Sequence, residues 1–263
     1  MNTPRISASS YSNTAPLVWS FLYGQNHGKV EIILDNAPVR SAELLAQDRV
    51  DAALVPVIAY QMIEGVRLIP DVCVGAKKRV RSVCLVTKGA NLKDVRSVAL
   101  DVSSKTSVVL TKIIFREFLG IEPSWIDARP DLDAMLADTD AALLIGDPAL
   151  MIDETKYRKF DLAELWHQHT GLGFVFAMWM TRKEKCDIDF AAARDEGFTH
   201  ADEIAANYAA DIGLSRAEMR SYLTENISYS PDESMRRGME LYFELAAKNR
   251  LSDENRLLLF TDI

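Results

Sequence analysis

Apolar residues follow two periods along the first two thirds of the chain. Short apolar runs fit buried strands, and longer stretches with apolar positions three or four apart fit helices. Strands are predicted at Arg5–Ala8, Lys29–Asp35, Asp51–Val57, Leu68–Gly75, Ser82–Thr87, Ser97–Asp101, Ser124–Asp127, Ala141–Ile145 and Phe174–Thr181. Helices are predicted between them at Ala15–Gly24, Val39–Gln47, Ile58–Gly65, Ser107–Gly120 and Leu132–Ala137. In the fourth of these, Leu110, Ile114 and Phe118 recur at i+4, and Gly120 suits a left-handed cap. Beyond Thr181 the pattern reads helical over 189–210, 215–224, 231–248 and 253–260. Ser215 with Glu218 and Ser230 with Glu233 read as capping boxes, the second with Pro231 at the first helical position.

Strand–helix alternation implies an α/β protein with mainly parallel sheets and crossover helices. Nine strands are more economical as two sheets of four to five than as one. The apolar strand at 174–181 follows the second alternating set, so the chain is expected to return there to its first unit. The expected organisation is a discontinuous lobe of residues 1–87 and 175–263, with 88–174 inserted as a second lobe.

Composition narrows the function. With 48% hydrophobic residues in 263, the chain can bury ample core, and no apolar run is long enough for a membrane span. The net charge of −8 argues against nucleic acid as a partner and disfavours anionic ligands at long range. An anion site must then be built locally, from backbone and hydroxyl donors. Three cysteines at no metal spacing argue against a disulfide framework, and the N-terminal sequence lacks a signal pattern. A cytoplasmic protein with reduced thiols is expected.

Four stretches carry candidate chemistry. SASSYSNTAP (7–16, with Pro16 closing it) places six consecutive polar side chains, Ser9 to Thr14, at a strand-to-helix turn. Asn13 or Thr14 as an N-cap explains one or two of them; an anion or hydroxyl site facing a cleft would use more. ALDVSSKTS (99–107) repeats the geometry, offering Ser103, Ser104, Thr106 and Ser107 at a helix N-terminus. In IGDPAL (145–150), Asp147 fits an N-cap with Pro148 behind it, or a carboxylate at the cleft. In KKRVRSV (77–83), strand alternation turns Ser82 away from Arg79 and Arg81, so Ser82 is a candidate to face the cleft and the arginines to face solvent. His167 and His169 would share a face on a strand but have no third metal ligand at a recognisable spacing. There is no Walker A loop, no G-x-G-x-x-G and no nucleophile elbow, so no metal or cofactor is expected.

Together, SYSNTAPL (10–17), DAALVPV (51–57), RVRSV (79–83), ALDVSSKTS (99–107), ALLIGDPAL (142–150) and TGLGFVFAMW (170–179) resemble the chorismate dehydratases of the futalosine menaquinone pathway. The resemblance covers residues 5–180 and extends more loosely into the helical tail. It implies a periplasmic-binding-protein-like (type 2) fold of two lobes around a cleft, working as a cytoplasmic lyase without a cofactor. The implied reaction converts chorismate to 3-[(1-carboxyvinyl)oxy]benzoate and water, with the substrate's own enolpyruvyl carboxylate taking the proton. Carried onto this chain, the resemblance makes Asn13 and Ser82 the active-site positions. It assigns substrate contacts to Tyr11, Ser103, Ser104, Thr106 and Ser107, with Asp147 as a further candidate. Two positions depart from the family pattern: Gly173, where Pro is common, and Lys78, where Gly is common. The rival readings are an enzyme like cyclic dehypoxanthine futalosine synthase and a solute-binding protein for a small carboxylate.

Overall fold

The computed structural model describes residues 3–262. Ten strands form two five-stranded sheets. The first contains β1 (Arg5–Ser9), β2 (Glu31–Asp35), β3 (Ala52–Pro56), β4 (Arg67–Ala76) and β10 (Phe174–Thr181), in the order β2-β1-β3-β10-β4. The second contains β5 (Val83–Thr87), β6 (Ser97–Asp101), β7 (Ser124–Ala128), β8 (Ala141–Ile145) and β9 (Arg158–Asp161), in the order β7-β6-β8-β5-β9. Each sheet is mixed rather than mainly parallel. β10 runs antiparallel to β3 and β4, and β5 runs antiparallel to β8 and β9.

The chain leaves the first sheet after β4 and enters the second at β5, so 83–87 stands in the second sheet. The sequence pattern alone groups that strand with the first lobe, residues 1–87. Its apolar face, VCLVT, is buried along its whole length against β8, which decides the matter. The return at β10 falls in the first sheet, between β3 and β4.

Helices α1 (Ala15–Leu22), α2 (Pro38–Ala46) and α3 (Ala59–Met62) connect the first strands. In the second unit, α4 (Lys105–Ile113) widens into a π-helical segment, Ile114–Leu119, that closes at Gly120 with φ 68°. Three further helices follow: α5 (Leu132–Asp138), the short α6 (Asp147–Leu150) and α7 (Leu162–Thr170). α7 and β9 lie in a polar stretch, where weak apolar periodicity gave no prediction. The tail forms α8 (Phe190–Thr199), α9 (Ala201–Ile212), α10 (Arg216–Ser221) and α11 (Glu233–Lys248).

Four expectations for the tail and α7 need correction. The predicted helix 189–210 is two helices that meet at His200, whose ring stacks on Trp19 at 3.6 Å. α11 is capped by Asp232, which accepts from Met235 N–H, while Ser230 Oγ donates to the Asp71 carbonyl. The Ser215–Glu218 capping box is present. Residues 253–260 are not helical: the segment runs beside β4, and Leu68 N–H donates to the Leu259 carbonyl. His167 and His169 lie on α7 rather than on a strand, and His169 stacks on Phe118.

The core joins both sheets. Trp166 of α7, Phe174 of β10 and Tyr242 of α11 are all fully buried and meet edge to face. α11 seats against β10 through two glycines. A Cβ at Gly238 would stand 2.0 Å from the Gly173 carbonyl oxygen. Gly173 N–H donates to Ser234 Oγ at 3.0 Å, a bond that proline at this position would lack. Because that contact is to backbone, it cannot be relieved by a side-chain rotation. Gly238→Ala should therefore lower unfolding free energy by about 1–3 kcal/mol, despite alanine's better helix propensity. Urea denaturation followed by circular dichroism measures this.

Candidate functional site

The turn after β1 is where the two units meet. Ser12–Thr14 forms one turn of 3-10 helix leading directly into α1. Thr14 stands at the N-cap position of α1 but makes no side-chain capping bond, and Asn13 lies within the 3-10 turn. Thr14 Oγ1 instead donates to the Tyr11 carbonyl at 2.7 Å and also bonds to the Ser9 carbonyl. The turn's free donors are taken by Asp147, from the other unit. Ser12 N–H lies 3.2 Å from its Oδ2, and Ser12 Oγ donates to its Oδ1. Asp147 is the first residue of α6, so its carboxylate caps the opposite unit's turn rather than its own helix. Burial pushes its carboxyl above the usual carboxylate range, and the Ser12 donors act in the other direction.

Gly146 makes this approach possible. It has φ 65°, and a Cβ there would stand 2.9 Å from the Tyr11 ring. Its N–H donates to the Ser82 carbonyl at 2.7 Å, which ties β8 to the start of β5. Residues 80–81 are held from the far side by Asp161. That buried carboxylate accepts from the N–H groups of Val80 and Arg81, and from those of Ala163 and Glu164 at the start of α7. Arg81 has φ 66°, a conformation that β-carbon-bearing residues rarely adopt. The cluster of backbone bonds on Asp161 holds it there, and so sets the direction of Ser82.

A narrow cleft of about 60 Å3 lies between the units. Ser9, Tyr11, Asn13, Thr14, Ser104 and Ser107 supply its polar lining, and Phe176, Leu54 and Ile145 are among its apolar walls. Asn13 and Tyr11 thus face Ser104 and Ser107 across it. Ser104 caps α4: its Oγ accepts from Ser107 N–H at 3.3 Å and donates to Ser107 Oγ at 2.8 Å. Thr106 is used differently. Its hydroxyl accepts from Ile58 N–H at 3.3 Å, and its carbonyl accepts from Tyr242, so it ties the units together. Ser82 is fully buried beside this cleft, and its hydroxyl has no partner.

Two residues near the turns escaped the sequence reading. Asp101 ends β6 with no exposed surface, and its Oδ1 accepts from Ser103 N–H at 2.9 Å and Ser103 Oγ at 2.6 Å. Its Oδ2 has no partner. Burial raises the Asp101 pKa against the effect of the Ser103 bonds. The Tyr11 hydroxyl is raised by burial too; Ser103 lies within reach of it and works the other way. Tyr222, buried at the end of α10, approaches from the tail. As a strand-ending Asp and a helical Tyr, both looked like ordinary fold residues. No group of three or more His, Cys, Asp or Glu suited to a metal occurs among the described residues. No helix among them is long and apolar enough to cross a membrane. All three cysteines are buried, with Cys84 pushed up to about 12 by burial.

The Asp101 environment makes a pH prediction. Its folded pKa is raised, so the native state holds a proton that the unfolded state releases. The contribution of Asp101 to stability is therefore largest at low pH. It falls as pH rises from the unfolded value through the folded one. Asp101→Asn cannot ionise. The stability of the variant minus that of the wild type should rise as pH goes from 4 to 8. Denaturant titrations of both proteins across that range test it, and a flat difference would contradict the assignment.

Comparisons with known proteins identify the family and the fold. The family model described as menaquinone biosynthesis matches residues 4–248. The chain is 32% identical to the chorismate dehydratase of Thermus thermophilus over 257 residues, covering 89% of this chain and 92% of that protein. Among solved structures, a protein of Archaeoglobus fulgidus superposes with a TM-score of 0.69 at 16% identity, covering 94% of this chain and 98% of the other. The periplasmic aliphatic sulphonate binding protein of Escherichia coli gives 0.66 at 16% identity, covering 99% and 93%. At these identities the structural likenesses establish the fold alone: α/β, periplasmic-binding-protein-like, with two lobes around a cleft. The match along nearly the whole chain bears out the resemblance carried by the motifs, and the chain belongs to the menaquinone biosynthesis family to which chorismate dehydratases are assigned.

Proposed function

We propose that this protein is a chorismate dehydratase, removing water from chorismate to give 3-[(1-carboxyvinyl)oxy]benzoate in menaquinone biosynthesis. The observation that carries this reading is the character of the cleft. Its polar lining consists of hydroxyls and one carboxamide, set at the N-terminus of α4 and facing the turn of the other lobe. Free N–H groups at a helix N-terminus suit a carboxylate, and hydroxyls add donors without placing a cation beside it. Chorismate has two carboxylates, a ring hydroxyl and an enolpyruvyl ether.

The chemistry asks little of the protein. A ring C–H bond breaks and its proton passes to the enolpyruvyl carboxylate. The electron pair forms the new ring double bond, the neighbouring C–O bond breaks, and the departing hydroxyl takes up that proton from the carboxyl and leaves as water. Aromatisation drives the step, and no electrons enter or leave. An ammonium or guanidinium clamp on the accepting carboxylate would lower its basicity, so neutral donors suit substrate-assisted proton abstraction. In this reading Asn13 and Ser82 hold the ring hydroxyl and orient the ring. Ser104 and Ser107, with Tyr11, form the carboxylate side of the site, while Ser103 bonds to Asp101 and Thr106 to Ile58 N–H, so these two hold the turn in place behind it. Asp147 acts through the Ser12 turn rather than as a base, because both its oxygens already accept from Ser12. The proposed reaction needs no metal or cofactor, and its proposed place of action is the cytoplasm.

Incubation with chorismate, followed by chromatography and mass measurement of the aromatic product, tests the activity. Binding without turnover would favour the solute-binding reading. Asn13→Ala should lower kcat by about 100-fold or more, the scale of a donor aimed at developing charge. Asp147→Asn should keep measurable turnover with a raised KM. An inactive Asp147→Asn beside a fully active Asn13→Ala would overturn the assignment and require a protein base.

A further inference from the structure

Tyr222 is the first residue of a π-helical segment, Tyr222–Asn226, that continues α10. Ile227 N–H reaches back to the Tyr222 carbonyl at 3.2 Å, five residues away. Such wide turns shift every later side chain around the helix and often mark functional sites. Tyr222 is fully buried, and its hydroxyl has no hydrogen-bond partner.

That hydroxyl lies beside two side chains, Ser82 and Asn13, with Arg81 and Asp147 further out. Ser82 also carries a fully buried hydroxyl without a partner. The Asn13 side chain makes no hydrogen bond to protein among the described residues, although its neighbours Ser12 and Thr14 are both engaged. Three polar groups from three separate parts of the chain therefore converge with their bonding capacity unspent. Buried hydroxyls left this way are uncommon in native structures and call for a reason. A core tyrosine kept for packing alone would be served as well by phenylalanine.

We infer that Tyr222 is a positioning residue of the cleft, whose hydroxyl orients the Ser82 hydroxyl and the Asn13 carboxamide toward the bound substrate. The inference rests on the proposed reaction for its substrate but not for its geometry. Burial raises the pKa of the phenol, which favours the neutral form able to donate a hydrogen bond. Ser82 and Asn13 both stand close enough to the phenol to interact with it. The tail thereby does more than cover the first sheet: it supplies the third side of the site, which neither β-turn provides.

Tyr222→Phe removes a single oxygen and keeps the ring. The expected result is an unchanged or slightly higher melting temperature, kcat for chorismate lower by about ten-fold, and KM within about two-fold of wild type. The Asn13→Ala, Tyr222→Phe double variant should be scarcely slower than Asn13→Ala alone, because the tyrosine acts partly through that amide. In the protein without substrate, the side-chain NH2 resonances of Asn13 should shift in Tyr222→Phe. Wild-type kcat with unmoved Asn13 resonances would overturn the inference, as would a fall in melting temperature large enough to account for the lost rate. If the wild-type protein does not turn over chorismate, the proposed function falls. The Asn13 resonances then decide the role of Tyr222 by themselves.

Discussion

The site depends on one contact: a carboxylate from the second lobe capping the first turn of the first lobe. A helix that begins at a strand end normally satisfies its free N–H groups with a local Ser, Thr, Asp or Asn. The turn at Ser12–Thr14 has such residues on every side and uses none of them in that way. Asp147 does the work from across the cleft, so the conformation of the turn is set by the other lobe. Asn13 is presented by that turn, and Tyr11 is pressed onto Gly146 by the same approach. Ser82 is joined to Gly146 through its carbonyl. Parting the lobes would therefore loosen Asn13 and Tyr11 together, which couples lobe closure to assembly of the site.

The same economy governs charge. Asp101, Asp147 and Asp161 all stand close to the lobe junction in a protein of net charge −8. Asp147 spends both oxygens on Ser12, Asp161 both on the four amides around residues 80–81 and 163–164, and Asp101 one oxygen on Ser103. Burial raises the pKa of all three, which works against a negative charge next to an anion site. These carboxylates fix loops, and the loops present hydroxyls. That division lets an acidic protein offer a cleft without a carboxylate in its lining.

Strongly patterned features were legible in the sequence. Buried strands such as Ala141–Ile145 declare themselves by unbroken apolar runs, and α4 by apolar residues at i+4. β9 and α7 did not, because their sequence is polar outside Trp166 and a few neighbours. The segment at 253–260 carries LLLF, which suits a helix face or an edge alongside β4 equally well, and only packing chooses. The turns at 9–14 and 103–107 were recognisable as polar excess at strand ends. What they did with that excess was not, because the deciding partner of Ser12 lies 135 residues away. Tyr222 was invisible for a further reason: the widened turn that aims it has no sequence signature.

That separation changes what the polar run after β1 means. Counting hydroxyls suggested a ligand site with many donors. In the structure most of them are consumed by the fold: Ser10 bonds to Asn36, Ser12 to Asp147, and Thr14 to two carbonyls. Ser9 lines the cleft near the strand end. Asn13 is a member whose side chain the fold leaves unspent, and it lines the cleft between the lobes beside Tyr222 of the tail. A run of polar residues is therefore weak evidence of a site when each has a local or distant backbone to satisfy. The stronger evidence is a polar group that the surrounding structure positions from three sides and then leaves unpaired.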